Sequence, residues 1–217
     1  MPKYTAAIFD LDGTILDTIE DLTDSINFAL REHGFPERSL MEVRSFVGNG
    51  VKKLTERALP ENVDEKELDS VFMCFTQRYN EHCMDKTKPY EGIVELLVKL
   101  REQGIKTAVL SNKADFAVQI LCRKYFADLF DYAAGMRDDV PKKPAPEGVY
   151  IAMDSLKTDS AVYVGDSEVD VLTASNAGLD CIAVDWGFRE REVLEKSGAK
   201  YIASDLKELL EYIINEN

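Results

Sequence analysis

Aspartates stand in pairs at two places in the sequence, each time directly after a short apolar run. Asp10 and Asp12 follow the first of these runs, and Asp166 and Asp170 follow a later one. Like charges this close together usually call for a cation. Because every donor is an oxygen, Mg²⁺ is the natural candidate. Each pair also has an ordinary alternative, a turn for the first and the acidic first turn of a helix for the second.

Residues suited to holding a phosphate group occur beside these aspartates and at two further positions. Gly13 lets the backbone turn sharply toward a ligand, and Thr14 adds a hydroxyl. Ser111 and Asn112 end another apolar run before a helical pattern, where N–H groups and a hydroxyl can bind an anion or simply cap the helix. Lys143 precedes a stiff proline-rich segment that can fix its ammonium group, although a solvated loop is the plain alternative.

These segments share one expected location, the carboxyl ends of predicted strands. In an open α/β sheet, that edge is where ligands bind. Each ordinary alternative is reasonable by itself, but together they require four coincidences at one edge, all of the type that metal-assisted phosphoryl transfer needs. The pattern therefore indicates chemistry on a phosphate group.

Short runs rich in β-branched residues predict the elements that position these side chains. Helical patterns alternate with the runs, which is typical of parallel βαβ units in a three-layer, doubly wound α/β sheet. The strands are expected at residues 4–9, 105–110, 130–134, 160–164, 181–184 and 201–203.

One stretch breaks the alternation, because residues 17–87 carry helical patterns only. Thr18 and Asp21 have the spacing of a capping box at the start of its first helix. We therefore expect residues 1–16 and 88–217 to form the core domain, and residues 17–87 to form an inserted all-helical domain.

The charge balance restricts the partners. The chain has 40 acidic and 26 basic residues and a formal net charge of −14, which disfavours binding to nucleic acid or to an anionic membrane. The 4 cysteines are scattered, and neither a signal-peptide pattern nor a long apolar run is evident. We expect a cytoplasmic monomer or homodimer that acts on a small phosphorylated metabolite.

The four segments resemble, in order and spacing, the four motifs of the haloacid dehalogenase superfamily of phosphohydrolases. The helical insert is similar to that superfamily's small α-helical cap. The resemblance implies a Rossmann-like core with a cap domain and a magnesium-dependent phosphatase acting on small phosphate monoesters. The matching residues are Asp10-Leu11-Asp12-Gly13-Thr14, Ser111, Lys143-Pro144-Ala145-Pro146, and Gly165-Asp166-Ser167 with Asp170.

The resemblance also implies catalytic and metal-binding roles for the four aspartates. Asp10 is the expected nucleophile, forming a phospho-aspartyl intermediate, and Asp12 is the expected general acid and base. Mg²⁺ is expected on the Asp10 carboxylate, the Asp12 main-chain carbonyl and the Asp166 carboxylate. Asp170 is expected to support the water shell of the metal.

Phosphate contacts follow from the same resemblance. Ser111 and the N–H group of Asn112 are expected to hold phosphoryl oxygens, together with Gly13 and Thr14. Lys143 is the expected catalytic cation, because a carboxylate that attacks a phosphate dianion needs positive charge to suppress repulsion.

Within the insert, the turn Gly48-Asn49-Gly50 resembles that of bacterial phosphoglycolate phosphatases, as does the segment 185–189 near the end of the chain. Backbone N–H groups at such a turn suit a small carboxylate, which predicts phosphoglycolate as substrate, although a plain helix-helix turn explains the glycines equally well. Other activities stay open: a β-phosphoglucomutase-like phosphomutase, a pyrophosphatase or nucleotidase, or a non-catalytic phosphate-binding module.

Overall fold

The structure, a computed structural model, describes residues 2–215, which form two compact units. The sheet unit contains the described residues up to Leu16 and those from Pro89 onward, and the helical unit is Asp17–Lys88. No helix within the described residues is both long and apolar enough to cross a membrane. The elements in chain order are β1 (Ala6–Phe9), β2 (Leu16–Asp17), α1 (Ile19–Glu32), α2 (Leu40–Phe46), α3 (Val51–Ala58), α4 (Glu65–His82), β3 (Lys88–Pro89), α5 (Ile93–Glu102), β4 (Lys106–Ala114), α6 (Asp115–Phe126), β5 (Tyr132–Met136), α7 (Glu147–Leu156), β6 (Ala161–Gly165), α8 (Glu168–Ala177), β7 (Asp180–Val184), α9 (Arg191–Lys196), β8 (Tyr201–Ala203) and α10 (Leu206–Ile214).

Within residues 2–215, six strands of the sheet unit form one parallel sheet in the order β5-β4-β1-β6-β7-β8. The predicted doubly wound α/β fold is confirmed, and all six predicted strands are present, although their bounds differ. Strand β1 lies in the middle and is completely buried, as its unbroken apolar sequence indicates. Chain order reverses direction at β1, and such a switch point is where parallel sheets open a crevice for ligands.

Strand β4 differs from its prediction. It continues to Ala114 instead of ending at Leu110, because the chain pairs again with Met136 of β5 after an irregular step in register. Helix α6 follows with Ala114 as its N-cap residue, so the alternative that Ser111 or Asn112 caps this helix is wrong. The irregular stretch places Ser111, Asn112 and Lys113 in a bulge, a feature that re-aims side chains at the edge of a sheet.

The helical unit consists of α1 to α4, as its 3.6-residue apolar spacing predicts. The predicted capping box of α1 is wrong: among residues 2–215, the Thr18 side chain has no capping hydrogen bond. Asp21 instead accepts hydrogen bonds from the backbone N–H groups of Lys86 and Thr87, at 2.8 to 3.1 Å. A long-range contact of the carboxylate has therefore replaced the local cap.

Candidate active site

Three neighbouring strands bring most of the predicted site residues together. Strands β4, β1 and β6 are adjacent and parallel, and Phe9 is in register with both Val109 and Val164. Asp10 and Asp166 therefore follow the ends of paired strands, and the Asp10 N–H group donates to the Val164 carbonyl at 2.8 Å. The prediction that the site lies at one strand edge rests on this register.

Three carboxylates form a crowded, buried group, called the acid cluster here. Asp10, Asp166 and Asp170 each offer an oxygen within 4.8 Å of the other two. Burial raises the pKa of Asp10 to about 6, with Lys143 opposing the shift and Asp170 adding to it. Burial, followed by the charges of Asp170 and Asp10, raises the pKa of Asp166 well above its usual range. A hard divalent cation with oxygen ligands fits such a donor set, because it would relieve the repulsion.

Lys143 supplies a buried positive charge to the acid cluster. Its Nζ lies 2.8 Å from Asp10 Oδ1 and 2.7 Å from Asp170 Oδ1, and 5.6 Å from the centre of the Tyr163 ring. Burial by itself would lower the pKa of Lys143, but Asp10 and Asp170 raise it well above its usual value. The ammonium group is therefore charged and fixed between two carboxylates, and the solvated-loop alternative for Lys143 is wrong.

The bulge of β4 holds Lys143 from the other side. The Asn112 side chain forms two hydrogen bonds with the Lys143 backbone, donating to its carbonyl at 3.1 Å and accepting from its N–H group at 2.9 Å. Ser111 is buried next to it, and its Oγ accepts a 3.3 Å bond from the Lys113 N–H group. The Asn112 side chain thus links two of the predicted segments, a role that its expected main-chain phosphate contact did not include.

Asp170 acts in two contacts at once. Its Oδ2 accepts from the Ser167 N–H group at 3.1 Å, which is one half of a capping box at the start of α8, and also from the Ser167 hydroxyl at 2.6 Å. Its Oδ1 binds Lys143. The helix-cap alternative and the ion pair therefore coexist on one side chain. Gly165 leaves the room for this arrangement, since a Cβ atom there would lie 2.3 Å from the Asp170 Cβ.

Asp166 is held on both of its oxygens. The Thr14 hydroxyl donates to Oδ1 at 3.2 Å, and the Phe188 N–H group donates to Oδ2 at 2.7 Å. Gly13 has φ of +85°, and a Cβ atom there would lie 2.3 Å from Asp166 Oδ2. Only a glycine permits this close approach of the turn after β1 to the carboxylate.

Asp12 lies outside the acid cluster and forms an ion pair with a different lysine, Lys113. Lys113 Nζ is 2.9 Å from Asp12 Oδ1 and 3.3 Å from Oδ2. The Lys113 side chain is almost fully buried, and the Asp12 carboxylate is slightly more exposed. Sequence reasoning missed Lys113, although it directly follows Ser111 and Asn112 at the end of the same strand.

A family profile described as haloacid dehalogenase-like hydrolase matches residues 7–184. The chain belongs to this family. Phosphoglycolate phosphatase 1 of Pseudomonas aeruginosa is 30% identical over 94% of this chain and 77% of its own length. A provisionally named pyrophosphatase, PpaX of Caldanaerobacter subterraneus subsp. tengcongensis, is 33% identical over 97% of this chain and 95% of its own length.

Among solved structures, a provisionally named phosphoglycolate phosphatase from Lactobacillus delbrueckii subsp. bulgaricus superimposes with a TM-score of 0.95. It is 38% identical and covers 99% of this chain, which in turn covers 100% of that structure. The predicted superfamily and the predicted class of enzyme are confirmed: this haloacid dehalogenase-like protein is a phosphatase of the phosphoglycolate phosphatase-like kind.

In this haloacid dehalogenase-like phosphatase, a loop after β7 supports Asp166. The Trp186 indole N–H group donates to the Thr14 carbonyl at 3.1 Å. A Cβ atom on Gly187 would lie 2.3 Å from the Asp166 Cβ and 2.4 Å from the Gly13 carbonyl oxygen. The loop therefore packs directly on two of the predicted segments. The sequence of this loop indicates a family resemblance only, and the signal for its supporting role is its position directly after β7, the strand that neighbours β6.

The three predicted residues of the insert belong to the helical unit, not to the unit that holds the acid cluster. Gly48, Asn49 and Gly50 connect α2 to α3, and both glycines have positive φ values, +119° and +88°. Gly50 is the N-cap residue of α3. The backbone at these glycines is thus that of a helix-helix turn, and their contact with substrate stays a prediction.

Proposed function

We propose that this phosphatase hydrolyses small phosphate monoesters with Mg²⁺, through a phospho-aspartyl intermediate on Asp10, and that phosphoglycolate is its preferred substrate. The observation that carries the mechanism is the buried acid cluster with Lys143 between two of its members. Burying three carboxylates with one internal cation is costly unless a further positive charge arrives. Mg²⁺ and a nucleophilic carboxylate together account for that arrangement.

The metal would be held by the carboxylates of Asp10 and Asp166 and by the main-chain carbonyl of Asp12, and Asp170 would support its water shell. When bound, Mg²⁺ would supply charge neutralisation for the carboxylates and for the transferring phosphoryl group. The two fixed oxygens of Asp166 support this proposal, since a ligand that is oriented by Thr14 and Phe188 needs no rearrangement on binding.

In the proposed reaction, an oxygen of Asp10 forms a bond to phosphorus while the ester oxygen leaves with a proton from Asp12. A water molecule then attacks phosphorus and gives its proton to Asp12. This attack breaks the bond between the Asp10 oxygen and phosphorus and releases inorganic phosphate. Lys143 offsets the repulsion between Asp10 and the phosphoryl group. Ser111 and the N–H group of Asn112 hold phosphoryl oxygens, with Gly13 and Thr14 shaping the turn beside them.

The preference for phosphoglycolate is supported by the relatives so named in Pseudomonas aeruginosa and Lactobacillus delbrueckii. Gly48, Asn49 and Gly50 are the residues that we propose bind the glycolate carboxylate, because a glycine turn exposes backbone N–H groups. The similarity to PpaX favours a second candidate, pyrophosphate. The two substrates differ in chemistry, since only phosphoglycolate carries a carboxylate.

Phosphate release from a panel of substrates tests the proposal. The panel contains phosphoglycolate, pyrophosphate, sugar phosphates and nucleotides, each with Mg²⁺ and with a chelator. We expect the highest kcat/KM for phosphoglycolate, loss of activity with chelator, and loss of activity in Asp10→Asn. Asp154→Asn, the same change at an exposed aspartate of α7, is the matched control and keeps full activity.

Each result bears on a separate part of the proposal. A higher kcat/KM for pyrophosphate would make pyrophosphate the preferred substrate and would leave the proposed mechanism unchanged. Turnover that survives exhaustive chelation would contradict the proposed dependence on Mg²⁺. Acid quenching of the wild type during turnover of ³²P-labelled substrate should trap label on the protein, and label that persists in Asp10→Asn would contradict the nucleophile.

A further inference from the structure

The pairing of Lys113 with Asp12 separates one carboxylate from the others. Among the described residues, the acid cluster comprises Asp10, Asp166 and Asp170, without Asp12. Lys143 pairs with two members of the cluster, whereas Lys113 contacts both oxygens of Asp12. Lys113 therefore contacts a carboxylate that lies outside the acid cluster.

The bulge of β4 makes this pairing possible. In a regular strand, side chains alternate between the two faces of the sheet, but the register of β4 shifts between Leu110 and Ala114. Lys113 lies inside the shifted stretch, and its side chain is only 3% exposed. Burial removes the many rotamers that a surface lysine samples, so the ammonium group has a defined position.

The Lys113 ammonium group contacts both oxygens of Asp12, one more closely than the other. The shorter contact, 2.9 Å, anchors Oδ1, and the longer contact, 3.3 Å, leaves Oδ2 more weakly held. A hydrogen bond at the longer distance is weaker. The Asp12 carboxylate is therefore held through both of its oxygens, which restricts its orientation.

We infer that Lys113 is a positioning residue for Asp12: its ammonium group holds the acid-base carboxylate apart from the metal-binding acids and in one orientation. The inference rests on the proposed function, in which Asp12 exchanges a proton with the ester oxygen and then with water. A misplaced acid-base group loses much of its rate enhancement, because proton transfer requires hydrogen-bond reach to the reacting atom.

A leaving-group comparison tests the inference with Lys113→Met, which keeps side-chain length and removes the charge. Alkyl phosphates need a proton on the departing oxygen. In contrast, p-nitrophenyl phosphate releases p-nitrophenolate, which is a stable anion. We expect Lys113→Met to slow the first turnover of an alkyl phosphate by about 30-fold. The first turnover of p-nitrophenyl phosphate, measured as the burst of p-nitrophenolate, should slow by less than about 3-fold. Lys113→Arg should restore most of the alkyl rate, and Lys99→Met on α5, an exposed lysine, should match the wild type.

Equal losses on both ester types, or no loss on either, would overturn the inference. Asp12→Asn provides the reference, since it should show the same leaving-group pattern. If Asp12→Asn lacks the pattern, the proposed acid role of Asp12 fails; if Asp12→Asn shows it and Lys113→Met does not, only the inference about Lys113 fails.

A double variant covers the case in which Lys113→Met folds poorly. Asp12→Asn/Lys113→Met removes both charges and leaves neither buried without a partner. Adding Lys113→Met to Asp12→Asn should not slow the first turnover of the alkyl phosphate further, because Lys113 acts through Asp12. If the first turnover of the alkyl phosphate is slower by a further 10-fold or more in the folded double variant, Lys113 does not act through Asp12.

Discussion

Each of the two units buries an aspartate, and the two carboxylates have opposite surroundings. Asp21 of the helical unit and Asp166 of the sheet unit are both 2% exposed. Asp21 accepts hydrogen bonds from the backbone N–H groups of Lys86 and Thr87. Asp166 accepts hydrogen bonds from the Thr14 hydroxyl and the Phe188 N–H group, but it shares its space with Asp10 and Asp170.

The comparison shows that burial by itself does not identify a functional carboxylate. A buried carboxylate whose charge is matched by donors stabilises the fold. A buried carboxylate crowded by other acids destabilises the fold until a cation binds, and strongly shifted pKa values mark such functional sites. The acid cluster is of the second kind, so substitutions at the two places should have different consequences.

The largest expected difference is in turnover. Asp10→Asn should lower kcat by at least about 1,000-fold, because it removes the attacking oxygen. Asp21→Asn should leave kcat per folded molecule within about 3-fold of the wild type. Steady-state phosphate release, normalised to the folded fraction from circular dichroism, measures both. Similar losses in the two variants would erase the distinction between the sites.

The next largest expected effect of the acid cluster is on how the free energy of unfolding changes with pH when no metal is bound. The folded pKa of Asp10 is about 6, above its usual value of 3.8, so the folded state binds more protons between these pH values. The free energy of unfolding should therefore fall as pH rises from about 4 to 6 and then level off, by on the order of 3 kcal/mol.

Urea unfolding in chelator measures this slope. The difference between the wild type and Asp10→Asn gives the contribution of Asp10 together with its effect on neighbours such as Asp166, because groups remote from the acid cluster titrate equally in both proteins. Parallel curves for the two proteins across this pH range would contradict the raised pKa of Asp10.

Metal addition should act on the sheet unit through the same carboxylates. Mg²⁺ at about 100 times its Kd should raise the free energy of unfolding of the wild type by about 2.7 kcal/mol. Asp166→Asn removes a proposed ligand and should lose most of this gain, whereas Asp21→Asn should keep it. Thermal unfolding with and without Mg²⁺ gives the shifts, and an undiminished shift in Asp166→Asn would exclude Asp166 as a ligand.

The fold followed from sequence because its signals are local. Parallel strands that are buried on both faces read as continuous apolar runs, and β1 shows this in four residues. Because β1 and β6 are neighbours with Phe9 opposite Val164, Asp10 and Asp166 both follow closely after paired strand ends. The acid cluster was therefore predictable as a set of neighbours, once both aspartates were placed after adjacent strands.

The details that sequence missed depend on long-range pairing. The bulge that buries Lys113 exists because β4 pairs again with Met136, which no local pattern encodes. The contact of Phe188 with Asp166 requires β7 to lie beside β6, because Phe188 belongs to the loop that follows β7. The local spacing of Asp21 from Thr18 predicts a cap, whereas the actual partners of Asp21 lie 65 and 66 residues away.

The smallest expected effects are in metal-free stability at neutral pH, and there the two buried aspartates should respond with opposite signs. Asp166→Asn should stabilise the protein by about 1 kcal/mol, because it relieves repulsion with Asp170 and Asp10 while the amide can still accept from the Phe188 N–H group. Asp21→Asn should destabilise it by about 2 kcal/mol, because the amide nitrogen would face N–H donors. Chemical denaturation in chelator at pH 7.5 measures both variants. A loss of stability in Asp166→Asn equal to that in Asp21→Asn would mean that the donors around Asp166, and not its acidic neighbours, decide its energy.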